Sequence, residues 1–219
     1  MLRSEEMCHT GISVRRPIES ERDMTMQRLK SVDPQVAQGR TSELLDTVQQ
    51  AFGVIPNAAR VMANSPAVLE SFLAFSTAMG GAAIGAKLHN QVKLTTSETN
   101  SCDYCTSMLS AVAPMAGLSA ADILAGRTRI SEERRTKAAL GFAYDVLESK
   151  GKVSDKHLNA VREAGFGDTE IVEIVASVVL GCFTNFLNNV AETELDIPRA
   201  ESVEECSISD CGTAACSTH

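Results

Sequence analysis

Apolar residues recur along the middle of the chain at intervals of three and four, and Gly, Pro, Ser and Asn punctuate the gaps. That period belongs to helices buried on one face. Thr41-Ser42-Glu43 opens a helix that ends at Phe52-Gly53, and Pro56-Asn57 opens a short one closed by Asn64-Ser65-Pro66. Pro66 then stands in the first turn of the next, where its missing N–H costs nothing. That helix carries Leu69, Phe72, Leu73 and Ser76 and stops at Gly80-Gly81. Helices from Ala86 to Asn100 and from Cys102 to Met115 follow, the second ending at Gly117, and Ser119 caps a short one reaching Ala125. Ser131-Glu132-Glu133-Arg134 starts another, whose buried face is Ala139, Phe142, Ala143 and Val146 and whose stop is Gly151. Ser154 caps the next, ending at Gly165, and Asp168 caps the last, running to Glu194.

In that last helix Ile171, Ile174, Val175, Val178, Cys182, Phe186 and Val190 form one apolar stripe, and Val172, Val179, Phe183 and Leu187 form a second. Two apolar faces predict a helix that is central or buried between subunits. No stretch of the body alternates with period two, and no hairpin dipeptide separates β-branched runs. The expected class is all-α, without a repeat of fixed period. Residues 1–37 are polar and read as a flexible arm, 38–198 as one helical domain, and 199–219 as a flexible tail with almost nothing to bury.

Composition narrows this. Of 219 residues, 44% are hydrophobic but only 4% aromatic, with no Trp, so the core is built from Ala, Val, Leu, Ile and Met. A net charge of -8 argues against nucleic acid and against an anionic membrane surface as partners. Met1 to Ser13 lacks the apolar run of a secretory signal. The most apolar stretch, 171–183, contains Glu173 and is too short to span a bilayer. A cytoplasmic location is expected. Seven cysteines there favour local redox or metal chemistry over a disulfide framework.

Cys102-Asp103-Tyr104-Cys105 is the strongest chemical signal. The first cysteine falls near a helix N-cap, where backbone N–H groups and the helix dipole stabilise a thiolate. Attack by one thiolate and resolution by the other is the simplest reading; two inert thiols on a core helix is the plain alternative. Half of a zinc site fits less well, because no second pair follows and the four His are scattered.

Several runs together resemble the carboxymuconolactone decarboxylase / alkylhydroperoxidase D-like family, in its peroxidase-related branch. They are Phe52-Gly53-Val54-Ile55-Pro56-Asn57, Ser65-Pro66-Ala67-Val68-Leu69, Gly80-Gly81 before Ala86-Lys87-Leu88, the Cys102–Cys105 motif, Ala116-Gly117-Leu118-Ser119, and the stretch from Thr184 to Pro198. The resemblance covers about Arg40 to Pro198. It implies an alkylhydroperoxidase D-like helical bundle assembled as a homo-trimer or homo-hexamer. It implies that Cys105 attacks a hydroperoxide or disulfide substrate, that Cys102 resolves it, that a thiol donor supplies electrons, and that no cofactor is needed.

The family pattern also places a proton relay of glutamate and histidine around the pair, and here those positions are Asn90 and Leu109. Asn90 cannot take up a proton near neutral pH and Leu109 cannot hydrogen-bond at all. General acid–base help is worth about 10²–10⁴ in rate, so a slow peroxidase is expected.

Auxiliary candidates follow. Glu98, four residues before Cys102, reads as a solvated carboxylate that could reach the mouth of the pair. His89 points about 100° away from Asn90 around the helix and reads as a surface histidine. Tyr104 could hydrogen-bond a substrate oxygen or simply pack. Thr95, Thr96 and Ser97 either line a polar pocket or mark relaxed packing, and Cys182 reads as a core residue. In the tail, Cys206, Cys211, Cys216 and His219 suggest either capture of a soft metal or metalloid, or disulfide exchange with the Cys102–Cys105 pair. The readings are therefore a thiol-dependent peroxidase-like or disulfide oxidoreductase, and, as the alternative, a non-catalytic scaffold or thiol-based metal binder. Ring-lactone decarboxylation does not suit a CxxC pair.

Overall fold

A computed structural model describes residues 27–203. Within them the chain forms nine α-helices and no strand. They are α1 (Gly39–Phe52), α2 (Asn57–Met62), α3 (Pro66–Gly80), α4 (Gly85–Thr99), α5 (Asp103–Val112), α6 (Ala120–Thr128), α7 (Arg134–Ser149), α8 (Asp155–Glu163) and α9 (Asp168–Ala191).

Local chemistry sets most boundaries. Ser119 accepts from the Asp122 N–H while the Asp122 carboxylate accepts from the Ser119 N–H, a reciprocal cap that starts α6. Ser154 starts α8 by accepting from the His157 N–H. Several expected ends move, α6 running on to Thr128 and α9 stopping at Ala191 among them. α5 stops at Val112 and continues as a 3₁₀ turn over Ala113–Ala116, because Pro114 has no N–H for an α-helical bond. α9 begins after Gly167, whose N–H donates to the Glu170 carboxylate at 3.0 Å, so Asp168 is its first residue rather than its cap.

α4 is the hub, with α5, α6, α7 and α9 packed around it. Glycines allow two of these crossings. A Cβ on Gly126 of α6 would stand 3.1 Å from the Gln91 backbone, and one on Gly181 of α9 only 2.8 Å from Thr96 Cγ2. The hydroxyl run of α4 fits this crowding rather than lining a common pocket. Thr95 donates to the Gly126 carbonyl at 2.6 Å, Thr96 to the Val92 carbonyl, and Ser97 to the Lys93 carbonyl while accepting from Asn185 Nδ2. The main core lies between α4, α7 and α9, with Leu88, Val92, Leu140, Phe142, Ile174 and Val178 at its centre. A second core joins α1, α2 and α3 through Leu45, Val48, Met62 and Leu69.

Residues 27–37, expected as part of a flexible arm, are held against the domain. Arg28 N–H donates to the Ala191 carbonyl, Val32 N–H to the Arg60 carbonyl, and Asn64 Nδ2 to the Lys30 carbonyl. Backbone groups satisfied in this way need no apolar periodicity, which is why the sequence pattern missed them. Residues 1–26 and 204–219 lie outside the described residues, and with them Cys206, Cys211, Cys216 and His219.

The short apolar stretch 171–183 sits inside a 24-residue helix that is long and apolar enough to cross a membrane on length and composition alone. Its use here is different. Ile171, Ile174, Val178 and Leu180 are built into the core, and the buried Asn185 and Asn188 are both hydrogen-bonded. The opposite face, with Val172, Val179, Phe186 and Val190, is exposed in the single chain.

Candidate functional site

Cys102 is the N-cap of α5, and its sulfur accepts from the Cys105 N–H at 3.3 Å. The two sulfurs lie at disulfide distance, with Cα atoms 5.3 Å apart. Both residues are buried, at 1% and 5% exposure, in a small cluster with Tyr104, Ala58, Met108 and Leu195.

Each cysteine faces its own cavity. Cys105 lines one of about 390 Å³, whose walls include Phe52, Met62, Phe72, Met108, Leu109, Val112 and Met115. Its polar lining includes His89, Asn90, Lys93 and Asn188, and among the described residues no acidic side chain lines it. Cys102 lines a second cavity of about 530 Å³ with Ser97, Glu98, Asp103, Ser107, Arg127 and residues 199–203. The first is largely apolar; the second is rimmed by charge.

Asn188 is the contact that sequence reasoning did not single out. Its Nδ2 donates to Cys105 Sγ at 3.3 Å, and its Oδ1 accepts from the Thr193 hydroxyl at 2.8 Å. Thr193 thereby fixes the amide so that the N–H side faces sulfur. A donor held on a thiolate favours the charged form. The residue lies 83 positions from Cys105, on another helix, and no local pattern marks it.

Lys93 is the second addition. It lies on α4 one turn beyond Asn90 and, among the described residues, is the only charged side chain lining the Cys105 cavity. Burial pushes its ammonium down to about 8, which makes it a proton-exchanging group near neutral pH. No pattern in the sequence singles it out.

The sequence candidates fall as follows. Asn90 and Leu109 both line the Cys105 cavity, so the two positions implied as a relay do converge there. Asn90 turns its Nδ2 back to the Ala86 carbonyl. His89, expected at the surface, is buried at 5% exposure because α9 crosses over it. Ser177 donates to the Glu173 carbonyl, so His89 Nδ1 must donate to Ser177 Oγ at 2.8 Å. This fixes the tautomer and leaves the lone pair on Nε2. Burial first, and the nearby Lys93 charge second, push His89 down to about 4, so it is neutral at physiological pH.

Tyr104 is occupied on both sides. Its hydroxyl donates to Asp196 Oδ1 at 2.9 Å and accepts from the Ala58 N–H at 3.1 Å. Burial, with the Asp196 carboxylate beside it, pushes the phenol above its usual range. It ties α5 to α2 and to the segment after α9. Glu98 is not freely solvated: it pairs with Arg127 at the edge of the Cys102 cavity, where both are largely covered. Cys182, expected in the core, packs at its edge, where Asn100 Nδ2 donates to its sulfur and burial raises its thiol. Among the described residues no three His, Cys, Asp or Glu side chains are placed to hold a metal ion.

No protein-family model and no curated protein matches the sequence. Solved structures do. The alkylhydroperoxidase AhpD core of an uncharacterised peroxidase-related protein from Ralstonia eutropha is 20% identical, covers 80% of this chain and 94% of its own, and superposes with a TM-score of 0.67. An uncharacterised peroxidase-related protein from a Silicibacter species gives 20%, 78%, 95% and 0.64. A cysteine-to-alanine variant of the debrominase Bmp8, bound to 2,3,4-tribromopyrrole, gives 18%, 79%, 93% and 0.67. The likeness establishes the fold. This chain has the alkylhydroperoxidase D-like architecture, as the resemblance in its motifs implies.

Proposed function

We propose that this protein is a cytoplasmic thiol-dependent oxidoreductase of the alkylhydroperoxidase D-like family, whose Cys105 reduces a small, largely apolar substrate. The observation that carries the reading is Cys105 at the wall of an apolar cavity with the Asn188 amide held on its sulfur. With a hydroperoxide, the Cys105 thiolate attacks the terminal oxygen and becomes a sulfenic acid, releasing an alkoxide that takes a proton. Cys102 then displaces water and closes the disulfide. A thiol donor returns two electrons. Lys93 is the proton carrier for the alkoxide, in the part of the cavity where the implied glutamate is Asn90. The homo-trimer or homo-hexamer expected from the resemblance belongs to the same proposal, and the exposed stripe of α9 is the surface it would bury.

The test is hydroperoxide consumption with a dithiol reductant. Cys105→Ser should abolish turnover, and Cys102→Ser should leave one slow equivalent. Turnover unaffected by Cys105→Ser would overturn the assignment. A second reading, favoured by the apolar cavity and the debrominase neighbour, is reductive dehalogenation. There the Cys105 thiolate takes the halogen, the aryl carbanion takes a proton, and Cys102 expels halide as the disulfide forms. Bromide release from a brominated aromatic, without hydroperoxide consumption, would select it.

A further inference from the structure

The Cys102 cavity has no part in the substrate chemistry just described. Cys102 lines it and Cys105 does not, whereas Cys105 alone lines the apolar cavity. Its outer wall is the chain's own segment 199–203. That segment is pinned by the Arg199–Asp103 ion pair, by the Ala200 N–H donating to Ser107 Oγ at 2.9 Å, and by Arg127 donating to the Glu201 carbonyl at 2.6 Å. The tail is thus fixed at the mouth of the Cys102 cavity up to Val203.

From this geometry we infer that the tail is the reductant of the pair: Cys206 enters the 530 Å³ cavity and attacks Cys102. Cys206 is three residues past Val203. At about 3.3–3.6 Å per residue its reach is roughly 10 Å, the scale of the cavity itself. A tether this short gives an effective thiol concentration on the order of millimolar. The direction of attack also fits. Attack on Cys102 expels Cys105, whose thiolate receives the Asn188 N–H, and a stabilised thiolate is the better leaving group.

The electrons balance without a cofactor. The Cys206 thiolate forms a bond to Cys102 as the Cys102–Cys105 bond breaks, releasing the Cys105 thiolate. The Cys211 thiolate then attacks Cys206, forming Cys206–Cys211 and releasing Cys102, which takes a proton. The pair gains two electrons and the tail dithiol loses two. An external dithiol later reduces the tail disulfide in solution.

This inference rests on the oxidoreductase reading, and one experiment separates their failures. The fully reduced full-length chain is mixed with excess cumene hydroperoxide and no reductant. The expected fast phase consumes two equivalents in the parent and one in Cys206→Ser. No fast phase in either chain overturns the hydroperoxide reading and this inference with it. Equal amplitudes in the two chains overturn the tail route alone. A Cys211→Ser, Cys216→Ser chain should trap the mixed disulfide, joining the tryptic peptides 94–127 and 200–219 through Cys102. A join through Cys105, or an intact Cys102–Cys105 pair with no join, would also overturn it.

Discussion

Replacing Asn188 by Leu tests the site at its centre. The substitution keeps the branched shape of the side chain and removes the N–H held 3.3 Å from Cys105 Sγ. A hydrogen bond to a charged group contributes about 1.5–3 kcal/mol. Sulfur is a diffuse acceptor, so the lower figure applies, and it corresponds to about one pKa unit at ~1.36 kcal/mol per unit. The thiolate fraction at neutral pH should fall about tenfold. Each remaining thiolate becomes about threefold more nucleophilic, given a Brønsted coefficient of about 0.4–0.5. The net loss at pH 7 is therefore only about threefold. Above both pKa values the variant should react faster than the parent, so the two pH profiles cross.

The assay is iodoacetamide alkylation of Cys105 in a Cys102→Ser background, followed by mass spectrometry of peptide 94–127 across pH. Thr193→Val, which frees the Asn188 amide to turn, should give a smaller shift in the same direction. Leaving the Thr193 hydroxyl unpaired costs Asn188→Leu about 1–3 kcal/mol of stability, which thermal melts would report. Parallel profiles with the same midpoint would refute the reasoning.

Three further outcomes follow from the geometry. Lys93 has a folded pKa of about 8 against 10.5 when free, so the unfolded chain binds the extra proton and stability should rise with pH between those values; Lys93→Met should remove that rise in urea unfolding and be the more stable chain at pH 7. Gly181→Ala would drive a Cβ to within 2.8 Å of Thr96 Cγ2 and should cost about 1–3 kcal/mol, read as a drop in Tm. Asn90→Glu with Leu109→His puts an acid and a base into the cavity that already holds Cys105, and should raise hydroperoxide turnover by about 10²-fold or more.

The helices were legible because their signals are local. Pro66, Ser119 with Asp122, Ser154 and Gly117 each act within one turn of their own position. The cysteine pair was legible for the same reason, since a cap and a spacing of three are both local. What escaped depends on how helices cross. His89 faces outward on an isolated α4, and it is buried because Ser177 on α9 arrives over it. Asn188 looks like one polar residue among several near the end of α9; only the α5–α9 contact brings it to sulfur. Lys93 acquires its chemistry from apolar walls supplied by α1, α2, α3 and α5. Residues 27–37 escaped because scattered hydrogen bonds and the isolated apolar contacts of Val32 and Ala37 hold them, with no helical period to read.

The separation of the two cysteines onto different cavities bears on kinetics. An enzyme that works by double displacement through a single entrance is choked by its own substrates. At high concentration each occupies the form of the enzyme that the other needs. On the proposed function, the oxidising molecule would approach through the walls of Phe72 and Met108, while electrons would arrive behind Arg127 and Arg199. Flooding one entrance leaves the other clear. A protein working in this way would hold its turnover under a burst of oxidant, when a single-mouthed enzyme would stall.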